Sequence, residues 1–226
     1  MDLTVVVMAY NEAANLEAVV QEIASALTVI GGTHEMLIID DGSTDGTGEL
    51  ADQLQAAVEA VRVLHHPQNL GLGGVYRTGF TEARGRYVTF FPADGQFPAT
   101  IIQQFYPRMT DVDMVLGYLP QRKRSPLAEL LSLVERVLYR IVLGPMPKFQ
   151  GITMFRRDLL NQFTLHSTGR GWAVLMELIL RVARAGHHVE SIPTEIRPRL
   201  SGASKVNNWR TIRANFKQIL YLRRYL

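Results

Sequence analysis

The sequence predicts an α/β protein built on a doubly wound, mostly parallel sheet. Three observations carry this. From Leu3 to Leu116, short apolar runs rich in valine and isoleucine alternate with amphipathic stretches, the pattern of buried parallel strands joined by crossover helices. Three of those runs end in polar clusters: Asn11 and Glu12, Asp40 and Asp41, Asp94 and Gln96. In such a sheet the carboxyl ends of the strands form the ligand edge, so the clusters are expected to face one another. Charge also divides along the chain. Residues 1–117 carry 15 Asp/Glu against 5 Lys/Arg, and residues 118–226 carry 6 against 19, a split hidden by the net charge of +3. Such asymmetry implies two kinds of partner.

The elements follow in order. Leu3–Met8 is a valine-rich run and reads as the first buried strand. Asn11 is placed to cap a helix over Glu12–Leu27, which stops before Gly31-Gly32. Met36–Asp40 is the second strand, and Thr44 or Asp45 opens a helix to about Val58. Val61–Leu64 is the third strand, Tyr76–Arg84 a helix ended by Gly85, and Tyr87–Phe91 a fourth strand broken by Pro92. Pro98–Met109 reads as helix and Met114–Leu116 as the fifth strand. Beyond it, Leu127, Leu130, Leu131, Val134, Val137, Leu138 and Ile141 recur at helical spacing behind Arg122-Lys123-Arg124. Trp172–Ala185 is a helix and Val189–Ile192 a short strand. Trp209, Ile212, Phe216, Ile219 and Leu220 form a last stripe among arginines and lysine.

A chain of 226 residues makes one large domain, or one with an appendage, and buries a core without covalent staples. The absence of cysteine excludes a disulfide scaffold, a thiol nucleophile and Cys-ligated zinc or iron–sulfur sites. Met1–Thr4 has neither a basic nor a long apolar segment, so no secretory signal is expected. No window of about 20 residues is free of charge, so no transmembrane helix is expected. These features predict a cytoplasmic protein. The two basic stripes suit the cytoplasmic face of an anionic membrane, or equally packing on the core or on a second subunit.

Four clusters can carry chemistry. Asp41-Gly42-Ser43-Thr44-Asp45-Gly46 with Glu49 and Asp52 mimics a calcium loop, but a strand precedes it where an EF-hand needs a helix. A strand-to-helix turn explains Gly42, Ser43 and Asp45, but not two adjacent acids at a strand end. Asn69-Leu70-Gly71-Leu72-Gly73-Gly74 lacks the third glycine of a dinucleotide fingerprint, Tyr76 standing in its place, and reads as a close backbone approach. Phe91-Pro92-Ala93-Asp94-Gly95-Gln96 is either a plain turn or a sparse pair of oxygen ligands for a hard cation carried by a diphosphate. Arg199 and Lys205 flank a Gly-Ala-Ser loop that can wrap an anion or remain a solvated loop. The pairs His65-His66 and His187-His188 alternate across strands and read as surface or core histidines.

Taken in order, these motifs resemble the family 2 glycosyltransferases of the GT-A fold, in particular the dolichyl-phosphate mannose synthase-like branch of polyprenyl-phosphate sugar synthases. The residues that carry the resemblance are Ala9-Tyr10-Asn11-Glu12, Ile39-Asp40-Asp41-Gly42-Ser43 with Asp45, Asn69-Leu70-Gly71-Leu72-Gly73 with Gly79, Ala93-Asp94-Gly95-Gln96, Glu177 with Gly186 and Ile192-Pro193, and Arg199 with Gly202, Ser204 and Lys205. It spans residues 3 to about 206.

The resemblance implies a GT-A domain over 1–206, with a nucleotide half at 1–117 and an acceptor half at 118–206, followed by a basic amphipathic helix at 207–226. It implies that Ala9, Tyr10, Glu12, Asp40, Asp41, Asn69 and Ala93 hold the nucleotide. Asp94 and Gln96 would hold Mg²⁺ or Mn²⁺ on its diphosphate, and Arg199 and Lys205 would close over that diphosphate. Arg122 and Arg124 would receive an acceptor phosphate. The chain departs from the family pattern at Met8, where proline is usual, and at Pro147-Lys148, where an acid is usual. At Pro92 an acid is also usual, so a metal here has one carboxylate fewer. Many members add C-terminal membrane spans, which the sequence to Leu226 does not contain.

The reaction expected is inverting transfer of a sugar from a nucleotide-diphosphate sugar to a polyprenyl phosphate. A phosphate acceptor is already anionic and needs no general base. A hydroxyl acceptor would need one, with Glu177 or Asp94 as candidates. Two other readings stand beside it: a soluble family 2 enzyme acting on a saccharide or small-molecule hydroxyl, and a non-catalytic nucleotide-sugar-binding protein. A nucleic-acid partner is not expected, because the basic half lacks evident aromatic stacking platforms.

Overall fold

The computed structural model describes residues 1–120 and 144–198, together with Leu222. The order is β1 (Leu3–Ala9), α1 (Leu16–Ile30), β2 (His34–Asp40), α2 (Thr47–Ala57), β3 (Val61–His65), α3 (Gly71–Glu82), β4 (Tyr87–Pro92), α4 (Thr100–Phe105) and β5 (Met114–Tyr118). Then come β6 (Thr153–Arg156), α5 (Leu159–Gln162), α6 (Ala173–Arg184) and β7 (Val189–Pro193). Among the described residues no helix is long and apolar enough to cross a membrane. The stripes at 127–141 and 209–220 lie outside the described residues.

The strands form one seven-stranded sheet in the order β3-β2-β1-β4-β6-β5-β7. β3, β2, β1 and β4 are mutually parallel, with Ala9 opposite Asp40 and Met8 opposite Pro92. Consecutive β1 side chains point to opposite faces. Val5 and Val7 join Ile38, Leu16, Ile23 and Phe105 under α1 and α4, and Val6 joins Leu37, Ile39, Phe90, Tyr76 and Leu178 under α3 and α6. Helices therefore cover both faces, which is why the strands read as unbroken apolar runs rather than alternating ones.

Four differences from the sequence expectation have local causes. β6 is antiparallel to both β4 and β5 and separates them, so the sheet is mixed. At four residues it is too short to show a period. With β7 it also brings chain beyond Gly117 back into the same sheet. Asn11 does not cap α1. It adopts φ 53°, a left-handed conformation that a short polar side chain tolerates, and the helix begins only at Leu16. The helix expected at Tyr76 begins at Gly71, inside the glycine-rich segment itself. α4 stops at Phe105 and continues as a 3-10 turn over Tyr106–Thr110, because Pro107 has no N–H to give an α-helical turn.

Candidate active site

The site grows from the shared direction of β2, β1 and β4. Their ends are tied side by side: Asp41 N–H donates to the Ala9 carbonyl at 2.9 Å and Ala93 N–H to the Met8 carbonyl at 3.0 Å. This brings Tyr10–Glu12, Asp40–Asp41 and Asp94–Gln96 to one edge, as the strand pattern predicts. Residues 11–13 are then stitched to 43–47. Asn11 N–H donates to Ser43 Oγ (2.9 Å), Thr44 N–H to Asn11 Oδ1 (2.8 Å), Glu12 N–H to Thr47 Oγ1 (2.8 Å) and Ala13 N–H to Asp45 Oδ2 (3.2 Å). Asp45 is thus a latch between two loops, and Thr47 also donates to it. Burial alone would raise the Asp45 carboxyl, but the hydrogen bonds from Thr47 and Ala13 outweigh it and hold it below its ordinary value. Glu12 accepts from Asn15 Nδ2 at 2.7 Å, and Tyr10 is half-buried beside it.

The two adjacent acids have different jobs. Asp40 is buried and accepts from Ser43 N–H at 3.1 Å, with its other oxygen 3.0 Å from His65 Nδ1. Asp41 is turned to the start of α3. Its carboxylate lies 2.7 Å from His66 Nδ1 and accepts from Asn69 Nδ2 (2.9 Å), Leu70 N–H (2.8 Å) and Gly71 N–H (2.8 Å). A buried carboxylate with these partners organises the loop that delivers Asn69. It reaches the ligand edge through that loop rather than with a spare oxygen.

The end of β4 makes a tight turn. Asp94 Oδ1 accepts from Gln96 N–H at 3.1 Å around Gly95, which has φ 70°. The Gln96 carbonyl accepts from Arg197 N–H at 2.7 Å, so the chain is pinned to this turn two residues before Arg199. Arg199, Lys205, Arg122 and Arg124 themselves lie outside the described residues. Among the described residues no group of three or more His, Cys, Asp or Glu is arranged to hold a metal ion. Asp94 and Gln96 offer hard oxygen donors only, a set that fits a magnesium-like cation brought in on a diphosphate.

Glu177, the candidate general base for a hydroxyl acceptor, is buried on α6. As a candidate general base it would need to reach the substrate, yet its side chain is 0% exposed. It accepts from His166 N–H (2.9 Å), Ser167 N–H (2.8 Å) and the Arg181 guanidinium (2.8 Å). Burial alone would raise it, but these donors outweigh burial and hold the carboxyl below its ordinary value. It is a positioning residue for the 166–171 loop. Arg77 grips the same loop through the Ser167 and Gly169 carbonyls.

That loop carries a residue the sequence reading did not single out. Arg170 donates to Asn69 Oδ1, and its carbonyl accepts from Gly73 N–H at 2.9 Å. Its visible signal was an arginine between two glycines. The approach of loop to helix explains the glycine-rich segment: a Cβ on Gly73 would lie 1.9 Å from the Gly169 carbonyl oxygen. Gly73→Ala is therefore expected to destabilise the fold by about 1–3 kcal/mol or more, since backbone rather than a flexible side chain must give way. Urea denaturation measures this; an unchanged midpoint would contradict the packing.

Glucosyl-3-phosphoglycerate synthase of Mycobacterium tuberculosis, solved with Mn²⁺, UDP-glucose and phosphoglyceric acid, superposes with a TM-score of 0.72 at 20% identity, over 98% of this chain and 79% of that one. The sheet and its helices thus have the GT-A fold. The sequence carries the assignment further: the chain belongs to glycosyl transferase family 2, whose model matches residues 4–172. It is 28% identical to polyprenol monophosphomannose synthase of Mycolicibacterium smegmatis, over 94% of this chain and 84% of that protein. It is 26% identical to undecaprenyl-phosphate mannosyltransferase of Micrococcus luteus, over 92% and 88%.

Proposed function

We propose that this protein transfers a sugar, with inversion, from a nucleotide-diphosphate sugar to a polyprenyl phosphate. The observation that carries the reading is the single edge shared by Tyr10–Glu12, Asp40–Asp41 and Asp94–Gln96, in a chain similar over nearly its whole length to two polyprenyl-phosphate mannosyltransferases. Tyr10, Glu12, Asp40, and Asn69 on the loop that Asp41 organises, hold the nucleoside. Ala9 and Ala93 form the backbone floor beneath it. Asp94 and Gln96 hold Mg²⁺ or Mn²⁺ on the diphosphate. When bound, that cation supplies charge neutralisation on the departing diphosphate. Arg199 and Lys205 add fixed positive charge to the same leaving group.

An oxygen of the acceptor phosphate forms the new bond to the anomeric carbon as the bond from that carbon to the nucleoside diphosphate breaks. The acceptor arrives already ionised. Arg122 and Arg124 receive the acceptor phosphate. A peripheral position on the cytoplasmic face of a membrane, carried by the basic stripes, belongs to the same proposal, because a polyprenyl chain resides in a bilayer.

The test is a panel of radiolabelled nucleotide sugars with undecaprenyl phosphate in anionic vesicles and Mg²⁺ or Mn²⁺. Label extracted into the organic phase, and protein sedimenting with the vesicles, are the expected results. Label confined to a water-soluble product would overturn the acceptor. Donor binding without any turnover would overturn the activity.

A further inference from the structure

The dipeptide His65-His66 closes β3 and reaches both acids at the end of β2, but the two rings are bonded differently. His66 Nδ1 faces Asp41 Oδ1 at 2.7 Å and its Nε2 faces Thr78 Oγ1 at 2.8 Å. A hydroxyl can donate as well as accept, so one ring proton on His66 satisfies both contacts. His65 has no such freedom. Its Nδ1 lies 3.0 Å from Asp40 Oδ2 and its Nε2 lies 3.1 Å from Asp52 Oδ1. Ionised carboxylates only accept, so both contacts are hydrogen bonds only when both ring nitrogens carry protons.

The surroundings are built for this bridge. Asp52 lies on α2, four residues after Gly48 and on the same helix face. A Cβ on Gly48 would sit 3.0 Å from Asp40 Oδ2 and 3.5 Å from the His65 ring, so glycine lets the first turn of α2 close over the pair. The other Asp40 oxygen is already taken by Ser43 N–H. His65 therefore donates to the Asp40 oxygen that the Ser43 loop does not reach.

We propose that His65 is a positioning residue for donor binding, holding the buried Asp40 carboxylate and the start of α2 in the arrangement that the nucleotide meets. This rests on the reading of Asp40 as a nucleotide-binding residue. The hydrogen bond to Asp40, more than the one to Asp52, raises the imidazole above the ordinary histidine value, while its partial burial opposes the rise. The groups in contact with the ring are Asp40 from β2 and Asp52 from α2; the neighbouring His66 points to Asp41. Below its raised pKa His65 satisfies both acids. Above it, one carboxylate faces a lone pair and the bridge opens. Asp52 and His65 are partly exposed, so the effect is screened and is expected to be about five-fold in affinity.

The test measures binding of UDP and of GDP, each with Mg²⁺, by titration calorimetry from acid to alkaline pH, alongside an NMR titration of the His65 ring. In the unaltered protein the Kd of the nucleotide that binds is expected to rise about five-fold across the His65 titration. His65→Gln is expected to show the weaker Kd at every pH, and His65→Lys to keep the tighter Kd at alkaline pH. Asp52→Asn, an exposed change that leaves the core intact, is expected to move both the ring titration and the binding limb to lower pH together. A merely structural histidine would lower the melting temperature without tying Kd to the ring titration. If Asp40→Asn weakens binding while His65→Gln and Asp52→Asn leave the pH profile unchanged, the positioning role is overturned. If Asp40→Asn binds as tightly as the unaltered protein, the nucleotide role of Asp40 itself is what fails.

Discussion

Asp94→Ala is expected to lower kcat for sugar transfer by about 10²–10³-fold or more, since a metal-neutralised leaving group is worth several kcal/mol and each 1.4 kcal/mol is tenfold. The effect is large because Asp94 is the one carboxylate of the Asp94–Gln96 pair proposed to hold the cation. Pro92 occupies the neighbouring position at the end of β4, and among the described residues no cluster of three or more metal-binding side chains exists to share the load. Asp94 also closes its own turn by accepting from Gln96 N–H at 3.1 Å, a bond whose loss costs about 1 kcal/mol of stability. Asp94→Asn separates the two contributions. Its amide oxygen keeps the turn but its charge is gone, so folding should survive and transfer should not. Single-turnover rates at saturating Mn²⁺, with a denaturation curve for each variant, make the comparison. Less than a tenfold loss in Asp94→Ala would sink the metal assignment.

Glu177→Ala is expected to destabilise the protein by about 3–5 kcal/mol, the range for removing one partner of a buried ion pair. Truncation leaves Arg181 without its i,i+4 partner and leaves the His166 and Ser167 N–H groups without their acceptor. The consequence extends beyond α6, because the same loop is clamped by Arg77 and packs on Gly73 and Asn69. Glu177→Gln keeps the shape and part of the bonding and should lose less. The acid dependence has a definite sign. The folded carboxyl titrates below its ordinary value of 4.5, so its contribution is complete above that value and is lost as pH falls through the lower, folded pKa. Urea midpoints near neutrality should therefore differ most between the unaltered protein and Glu177→Ala, and the gap should narrow at strongly acid pH. Equal midpoints at neutral pH would overturn the role.

The clusters at Tyr10–Glu12, Asp40–Asp41 and Asp94–Gln96 were legible because their cause is short-range and directional. A buried run announces a strand, an amphipathic stretch announces a crossover, and parallel strands put all their carboxyl ends on one edge. The same logic failed at β6, where four residues carry no period and an antiparallel strand reverses the direction that the rule assumes. It failed at Asn11 because a left-handed turn and a helix cap ask for the same residue type.

The roles of individual acids were a tertiary matter. Asp40 and Asp41 are adjacent in sequence and alike in type, yet one lies under α2 with His65 and the other receives the first N–H groups of α3. Glu177 reads as a possible base until residues 166 and 167 are seen to donate to it, and Asn69 meets Arg170 across 101 positions of chain. Periodicities of about two and 3.6 residues decide which segments become strands and helices and which face of each is buried, and those are written locally. Which carboxylate keeps an oxygen for a ligand depends on which donors the crossovers bring to it from far along the chain, and only packing the two apolar layers against the sheet settles that.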